Sequence, residues 1–443
     1  MPNKKNGSIE KLFLIFILGF GVFFALLAPV GTIPDEQYHF NQTFRLIFHS
    51  DQKISDMDRL PDSAGVTDIS FDGPKPTSLY AESYTRKVPF VEQTKFQLNF
   101  TWSGLRRLPQ AIGILIGRYI YPSYGVMFLV GRLFNLLFYA GVIYIAIKKA
   151  AFGKFPMVFV ALLPMSVQQA ASLSYDTSLF AVCFVTFSMM SIIWTRAEKL
   201  NWKWALGLGT LVGVSYLTKS SALILLSLLA TIPAKGHLRA LIDGFWGVFK
   251  KHKRVTFLLI LLGLLGVFGF IFKDQGGLLN WFQVMFNTYF STAKNTNLDL
   301  VVTSGIFGAF GRFQFYIPEW LIILNFILFA MLLLSEKKVK LQLRVTVISA
   351  LLFVMNILLT SSIYYITYTH GQLGLDVSWS LGEQGRYYTP FLLFLIPLGI
   401  ACGEDFWKSV SLKMAEFLRA RLTFFMAGFN LLLSIVLIYL YWY

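Results

Sequence analysis

LFLIFILGFGVFFALLAPVGTIPDEQYHF, residues 12–40, sets an almost unbroken apolar run against an aspartate, a glutamate and a histidine within five residues. The run from Leu12 to Val30 is close to the ~20 residues a helix needs to cross the hydrocarbon core of a bilayer. No small-x-small cleavage site separates it from the acidic pair, so it is expected to remain as an anchor rather than be removed as a signal peptide. Comparable runs recur to the end of the chain, about eleven by the same length criterion, at 12–30, 121–147, 155–171, 177–194, 204–218, 220–233, 255–272, 318–334, 345–362, 387–401 and 422–441. Residues 204–233 are short for two crossings and a turn, so thin, tilted or broken helices are expected there.

With 56% hydrophobic and only 14% charged residues among 443, the chain lies far from the soluble globular average. The fold class is therefore an all-α polytopic membrane protein, a single transmembrane domain over residues 1–443. Its formal charge of +16 does not point to nucleic acid, because the basic residues are scattered among short loops instead of gathered on one face. Orientation explains them better. With the N-terminus inside and the C-terminus outside, more than half of the 39 Lys and Arg residues fall in cytoplasmic loops, as the positive-inside bias demands. Merging 204–233 into one span would put the KKHKR cluster at 250–254 outside. Cys183 and Cys402 fall near opposite ends of the membrane in this threading, so no disulfide is expected.

The long first extracytoplasmic loop, 31–108, carries the acidic motif and has too little apolar alternation for an independent fold to be assigned. Its end leads into an expected interfacial helix over 105–120, where apolar residues at helical spacing alternate with basic ones. A basic amphipathic segment at 235–254 is expected on the cytoplasmic side.

The threading puts polar side chains from distant segments on the outer face: Asp35, Glu36, His39, Asp176, Lys219, Arg312, Glu383, Arg386 and Tyr387. Such a set suits sugar transfer from a lipid phosphate. A partly desolvated carboxylate, Asp35 or Glu36, would serve as the base for an acceptor hydroxyl, and Arg386, Arg312 and Lys219 would stabilise the departing phosphate. Each has a plainer reading. An acidic pair beside a span is often a solvated loop, His39 a hydrogen-bonded interfacial residue, Asp176 a helix-end residue favoured by the dipole, Lys219 the anchor of a short hairpin, and Arg386 a snorkelling side chain. Arg132, inside an apolar span, demands a carboxylate or carbonyl partner.

PDEQYHF, LPQAIGILIGRYI leading into GRLFNLLFYAGVIYIA, ASLSYDTSLFA, LTKSSALILL and EQGRYYTPFLL, in this order between about residues 12 and 400, resemble a family of bacterial polytopic membrane proteins. That family is similar to the GT-C glycosyltransferases, including protein O-mannosyltransferases and lipid A aminoarabinose transferases. The resemblance implies a GT-C-like bundle, with the acidic residue after the first span acting as base. Carried over, the acidic pair is Asp35 and Glu36, the arginine of the second span is Arg132, the polar site opening the fourth is Asp176, and the late arginine is Arg386.

The function expected is an inverting glycosyltransferase in the bacterial plasma membrane. It would move a sugar from a polyprenyl-phosphate donor to a cell-envelope glycan, teichoic-type polymer or lipid-linked acceptor. A single displacement needs no enzyme nucleophile. No cofactor is required, although a divalent cation, Mg²⁺ or Mn²⁺, is compatible with the acidic cluster. The competing readings are an envelope-lipid transporter or flippase, whose repeated halves are not visible in the sequence, and a non-catalytic scaffold of an envelope-assembly complex.

Overall fold

In the computed structural model, residues 9–48, 77–87, 96–196, 202–232, 251–291, 302–311, 313–336, 339–406 and 418–443 are described. These residues are mostly helical. The first half holds α1 (Ile9–Leu27), α2 (Glu36–Ile47), α3 (Thr77–Thr85), α4 (Leu108–Ile120), α5 (Tyr124–Lys149), α6 (Lys154–Ala161), α7 (Pro164–Ala170), α8 (Asp176–Arg196) and α9 (Trp202–Thr218). The second half holds α10 (Lys253–Ile271), α11 (Gly277–Phe290), the single turn α12 (Ser304–Phe307), α13 (Glu319–Leu334), α14 (Leu343–Tyr364), α15 (Ile396–Phe406) and α16 (Thr423–Trp442). A small antiparallel hairpin, Ala309–Phe310 with Phe315–Tyr316, follows α12.

Five stretches among the described residues are long and apolar enough to cross a membrane: Ile9–Leu27, Tyr124–Lys149, Asp176–Thr195, Leu343–His370 and Arg419–Trp442. Shorter apolar helices lie at Ser220–Thr231, Glu319–Leu334 and Thr389–Gly403. Large apolar side chains stand exposed along them, among them Phe23, Leu137, Ile323 and Phe425. Outward apolar faces repeated on several helices are what a lipid-facing surface requires.

The helix boundaries depart from the sequence expectation where the chain breaks. The run at 155–171 is not one helix: α6 ends at Ala161 and α7 starts at Pro164, because proline has no N–H to continue the ladder and pushes Leu163 into an extended conformation. Both pieces are buried among other helices, apart from the first two residues of α6. At 204–233 the break falls where the sequence places it: α9 stops at Thr218, Lys219 is extended (φ −158°, ψ 142°), and the second piece is a 3₁₀ helix from Ser220 to Thr231. The run at 387–401 opens as 3₁₀ turns, Gly385–Tyr387 and Thr389–Leu395, before α15. Among its described residues the first loop carries α2 and α3. The segment expected at the interface, 105–120, is the end of a 3₁₀ turn at Trp102–Arg107 followed by α4. Of the basic segment 235–254, residues 235–250 lie outside the described residues.

The close approach of α4 to α5 follows from small residues four apart. A Cβ on Gly113 would lie 2.5 Å from the Val130 carbonyl oxygen, and one on Gly117 would lie 3.0 Å from the Met127 Cα. Only glycine lets the two backbones meet in this way. Against that pair packs α2, with Phe40 stacked on Phe128 (ring centroids 4.4 Å apart) and Phe44 and Ile114 in the same buried cluster. The acidic motif is thereby drawn off the surface and into the bundle.

Candidate functional site

The C-terminal ends of α1 and α9, the N-terminal end of α8 and the turn before Thr389 meet at one end of the bundle. Asp35 is the hinge. It precedes α2 with a left-handed backbone (φ 61°, ψ 7°), and its side chain makes no capping hydrogen bond. Such a backbone is uncommon outside glycine and is tolerated best by Asn and Asp. It sends the two neighbouring carboxylates of the motif to different partners.

Glu36 turns inward to Arg132. Both side chains are fully buried. Arg132 Nε donates to Oε1 at 2.7 Å and Nη2 to Oε2 at 2.6 Å. Its remaining N–H groups reach the carbonyls of Ala25 (2.9 Å), Ala28 (2.6 Å) and Pro29 (3.1 Å) at the end of α1. The Leu173 N–H also donates to Glu36 Oε1 at 3.2 Å. The pair thus pins α1, α2, α5 and the turn before α8 to one another. Committed in this way, Glu36 has no free oxygen with which to accept a substrate proton.

Asp35 turns instead to Arg386, forming an ion pair through Oδ2, while Arg386 Nη1 donates to the Pro34 carbonyl at 3.3 Å. Arg386 Nε lies 3.3 Å from Asp176 Oδ2, and Lys219 Nζ donates to Asp176 Oδ1 at 3.1 Å. Lys219 also sits over the Tyr387 ring, 3.4 Å from its centroid, and that ring stacks on Tyr364 at 5.5 Å. The structure therefore brings Asp35, Asp176, Lys219, Arg386 and Tyr387 together, with His39 one helical turn from Asp35.

The supports for this cluster are visible. Asn135 on α5 accepts from Gln110 Nε2 at 2.9 Å and donates to Thr177 Oγ1 at 2.8 Å and to the Ser172 carbonyl at 2.7 Å. This knot shapes the turn that presents Tyr175 and Asp176. Gly385 lies flat on α12, where a Cβ would overlap the backbone of Gly305 and Ile306; the turn bearing Arg386 is held by that contact.

The other expected site residues lie elsewhere. Glu383 Oε2 accepts from Ser361 Oγ (2.7 Å), Tyr388 OH (2.7 Å) and Tyr289 OH (2.9 Å), forming a hydroxyl cluster between α11 and α14. Arg312 lies outside the described residues. Cys183 is a buried thiol and Cys402 an exposed one.

Burial is the largest influence on Asp35 and works against its charge, but the Arg386 guanidinium and His39 together outweigh it and hold the carboxyl below its ordinary value. His39 behaves oppositely. Neither ring nitrogen has a hydrogen-bond partner among the described residues, and burial pulls the imidazole down to about 3, against the pull of Asp35 and Asp176 and with that of Arg386 and Arg107. In the unfolded chain His39 would titrate near 6.5. Between these values the unfolded state binds more protons, so the folded state loses stability as pH falls from 6.5 towards 3. His39→Gln is therefore expected to flatten the fall in melting temperature between about pH 6.5 and pH 4. An unchanged slope would show that His39 is not the titrating group.

The donor set does not fit a divalent cation. Hard cations take several oxygen ligands, whereas the two carboxylates here already carry a guanidinium and an ammonium. No group of three or more His, Cys, Asp or Glu side chains among the described residues is arranged to hold a metal.

Apolar helices with outward apolar faces and a polar cluster at one bundle end define a multi-pass α-helical membrane protein. The chain belongs to the DUF2142 family of predicted membrane proteins, whose model matches residues 18–273, more than half of its length. The matched region carries Asp35, Glu36, Arg132, Asp176 and Lys219 but ends before Arg386. No curated protein and no solved structure matches the chain.

Sequence reasoning missed Arg106, Arg107 and Tyr175. Arg106 and Arg107 lie over the Tyr175 ring, with guanidinium carbons 4.0 Å and 4.8 Å from its centroid. The signal available was the RR pair closing the first loop, which composition alone assigns to the membrane interface.

Proposed function

We propose that the chain is an inverting glycosyltransferase of GT-C type. It takes a sugar from a polyprenyl-phosphate donor and places it on a hydroxyl of a cell-envelope acceptor at the outer face of the bacterial plasma membrane. The reading includes about eleven crossings, several of them thin or broken, with the N-terminus inside and the C-terminus outside.

The observation that carries it is the contrast among three carboxylates. The Asp35 side chain is 48% exposed, against 3% for Asp176 and 0% for Glu36. Asp35 alone of the three faces solvent while anchored beside buried cations. One oxygen, Oδ2, is held by Arg386, and Oδ1 accepts no hydrogen bond from a described residue. An oriented carboxylate with one free oxygen is the arrangement a general base needs.

In the reaction Asp35 takes the proton of the acceptor hydroxyl. That oxygen forms a bond to the anomeric carbon as the bond from carbon to the phosphate oxygen breaks, and the electron pair leaves on the lipid phosphate. Attack opposite the leaving group inverts the anomeric configuration. Because Arg386 keeps Asp35 ionised, the base stays competent well into the acid range.

Mass spectrometry of envelope glycans from cells with and without the gene tests the reading. A sugar residue missing from one glycan or lipid-linked saccharide is expected in the deletion strain. Unchanged glycans, with an envelope lipid accumulating on one leaflet, would instead favour transport.

A further inference from the structure

We propose that Arg106 and Arg107 form a binding site for a phosphate-type oxyanion carried by an amphiphile, with Tyr175 as the platform that holds the two guanidiniums beside each other. Of the cations first expected to meet phosphate, Arg386 and Lys219 are already neutralised by Asp35 and Asp176, and Arg312 lies outside the described residues. Arg132 is neutralised by Glu36. Among the described residues Arg106 and Arg107 have no such partner.

Arg107 is only 5% exposed. Among the described residues neither arginine pairs with a carboxylate, and the Nε of each is buried without a hydrogen-bond partner. Arg106 Nη1 donates to the Thr218 carbonyl at 2.7 Å, Arg107 interacts with the Tyr38 hydroxyl, and both stack on Tyr175. These neighbours are neutral. Two adjacent guanidiniums repel each other, and burying one without a counter-charge is strongly unfavourable. Burial, followed by Arg106, holds Arg107 below its ordinary value. An anion arriving here would meet two rigid donor forks of the geometry that phosphate oxygens match.

The same place faces hydrocarbon. Arg107 directly precedes α4, whose Leu108, Ile112, Ile116, Tyr119 and Ile120 are exposed. A headgroup on the arginines would therefore leave its tail along an apolar helix face. His39 links this place to the Asp35 cluster: its ring meets Tyr175 edge-on, with centroids 4.9 Å apart, and it lies in the field of Arg107, Arg386 and Asp35 together. Identifying the anion with the donor's lipid phosphate rests on the transferase reading above; binding itself does not.

The test uses the full chain in discs of zwitterionic lipid, with polyprenyl monophosphate as one probe and inorganic phosphate as the other. Polyprenyl monophosphate is expected to bind the wild-type protein, and Arg106→Gln and Arg107→Gln are each expected to weaken it at least about tenfold, as loss of a charge-assisted hydrogen bond does. Lys148→Gln, an equal charge change on an exposed lysine, should leave binding intact. Inorganic phosphate competing in the millimolar range would assign recognition to the headgroup. Its failure to compete would assign a necessary share to the tail. Arg106 is only partly buried, so its variant keeps the test open should Arg107→Gln fail to fold. No binding by the wild type, or equal binding by Arg106→Gln, would overturn the site. Arginine-dependent binding without sugar transfer would retain it and remove the transferase reading.

Discussion

Asp35→Asn is expected to reduce sugar transfer by about 10²–10⁴-fold, the usual contribution of a general base, while leaving expression, insertion and helix content unchanged. The substitution suits the position. Asparagine tolerates the left-handed backbone as well as aspartate does, so α2 still starts in place and Glu36 still reaches Arg132. Only the proton-accepting charge is lost. Asp176 remains beside Arg386, so the guanidinium keeps a counter-charge. The loss should fall on kcat, since the acceptor hydroxyl still finds a polar partner, and purified protein in lipid discs would show that division. Full transfer by the variant would remove Asp35 as the base.

The second large effect is on stability. Arg132→Ala leaves the Glu36 carboxylate buried without its cation and strips the carbonyls of Ala25, Ala28 and Pro29 of their donors. Breaking one partner of a buried ion pair costs about 3–5 kcal/mol, enough to exhaust much of the stability of an ordinary domain. Thermal unfolding followed by size-exclusion chromatography should show a strongly lowered midpoint. The double variant Glu36→Leu/Arg132→Met should recover part of the loss, because a buried pair replaced by apolar groups no longer carries a stranded charge. An Arg132→Ala protein as stable as wild type would mean that the pair does not hold α1, α2 and α5 together.

The carboxylates of the motif also show how far the sequence can be read. The apolar runs identify a membrane protein, and the side chains at Asp35, Asp176, Lys219 and Arg386 do meet, because consecutive apolar helices return the chain to the same end. What the linear pattern does not encode is the turn at Asp35. Sequence adjacency joins Asp35 to Glu36 as one acidic pair, but the left-handed backbone separates them into a solvent-facing group and a buried strut. Glu383 is a similar case: three residues from Arg386, it faces a hydroxyl cluster because 3₁₀ geometry begins between them. The break at Leu163 is read through as one run although Pro164 marks it; the break at Lys219 is expected from the shortness of 204–233, but its 3₁₀ form has no proline or glycine to mark it. The RR pair at 106–107 was visible but looked interfacial, since nothing in composition reveals that both guanidiniums would meet the Tyr175 ring.

One measurement addresses the central claim most directly. Purified protein in lipid discs, supplied with a polyprenyl-phosphate sugar and an envelope-derived acceptor, is followed by mass spectrometry of both products. Sugar-free polyprenyl phosphate should accumulate in step with glycosylated acceptor of inverted anomeric configuration, and Asp35→Asn should yield neither. A donor left intact by the wild-type protein across the sugars and acceptors of its own envelope, or products formed equally by the variant, would contradict the account.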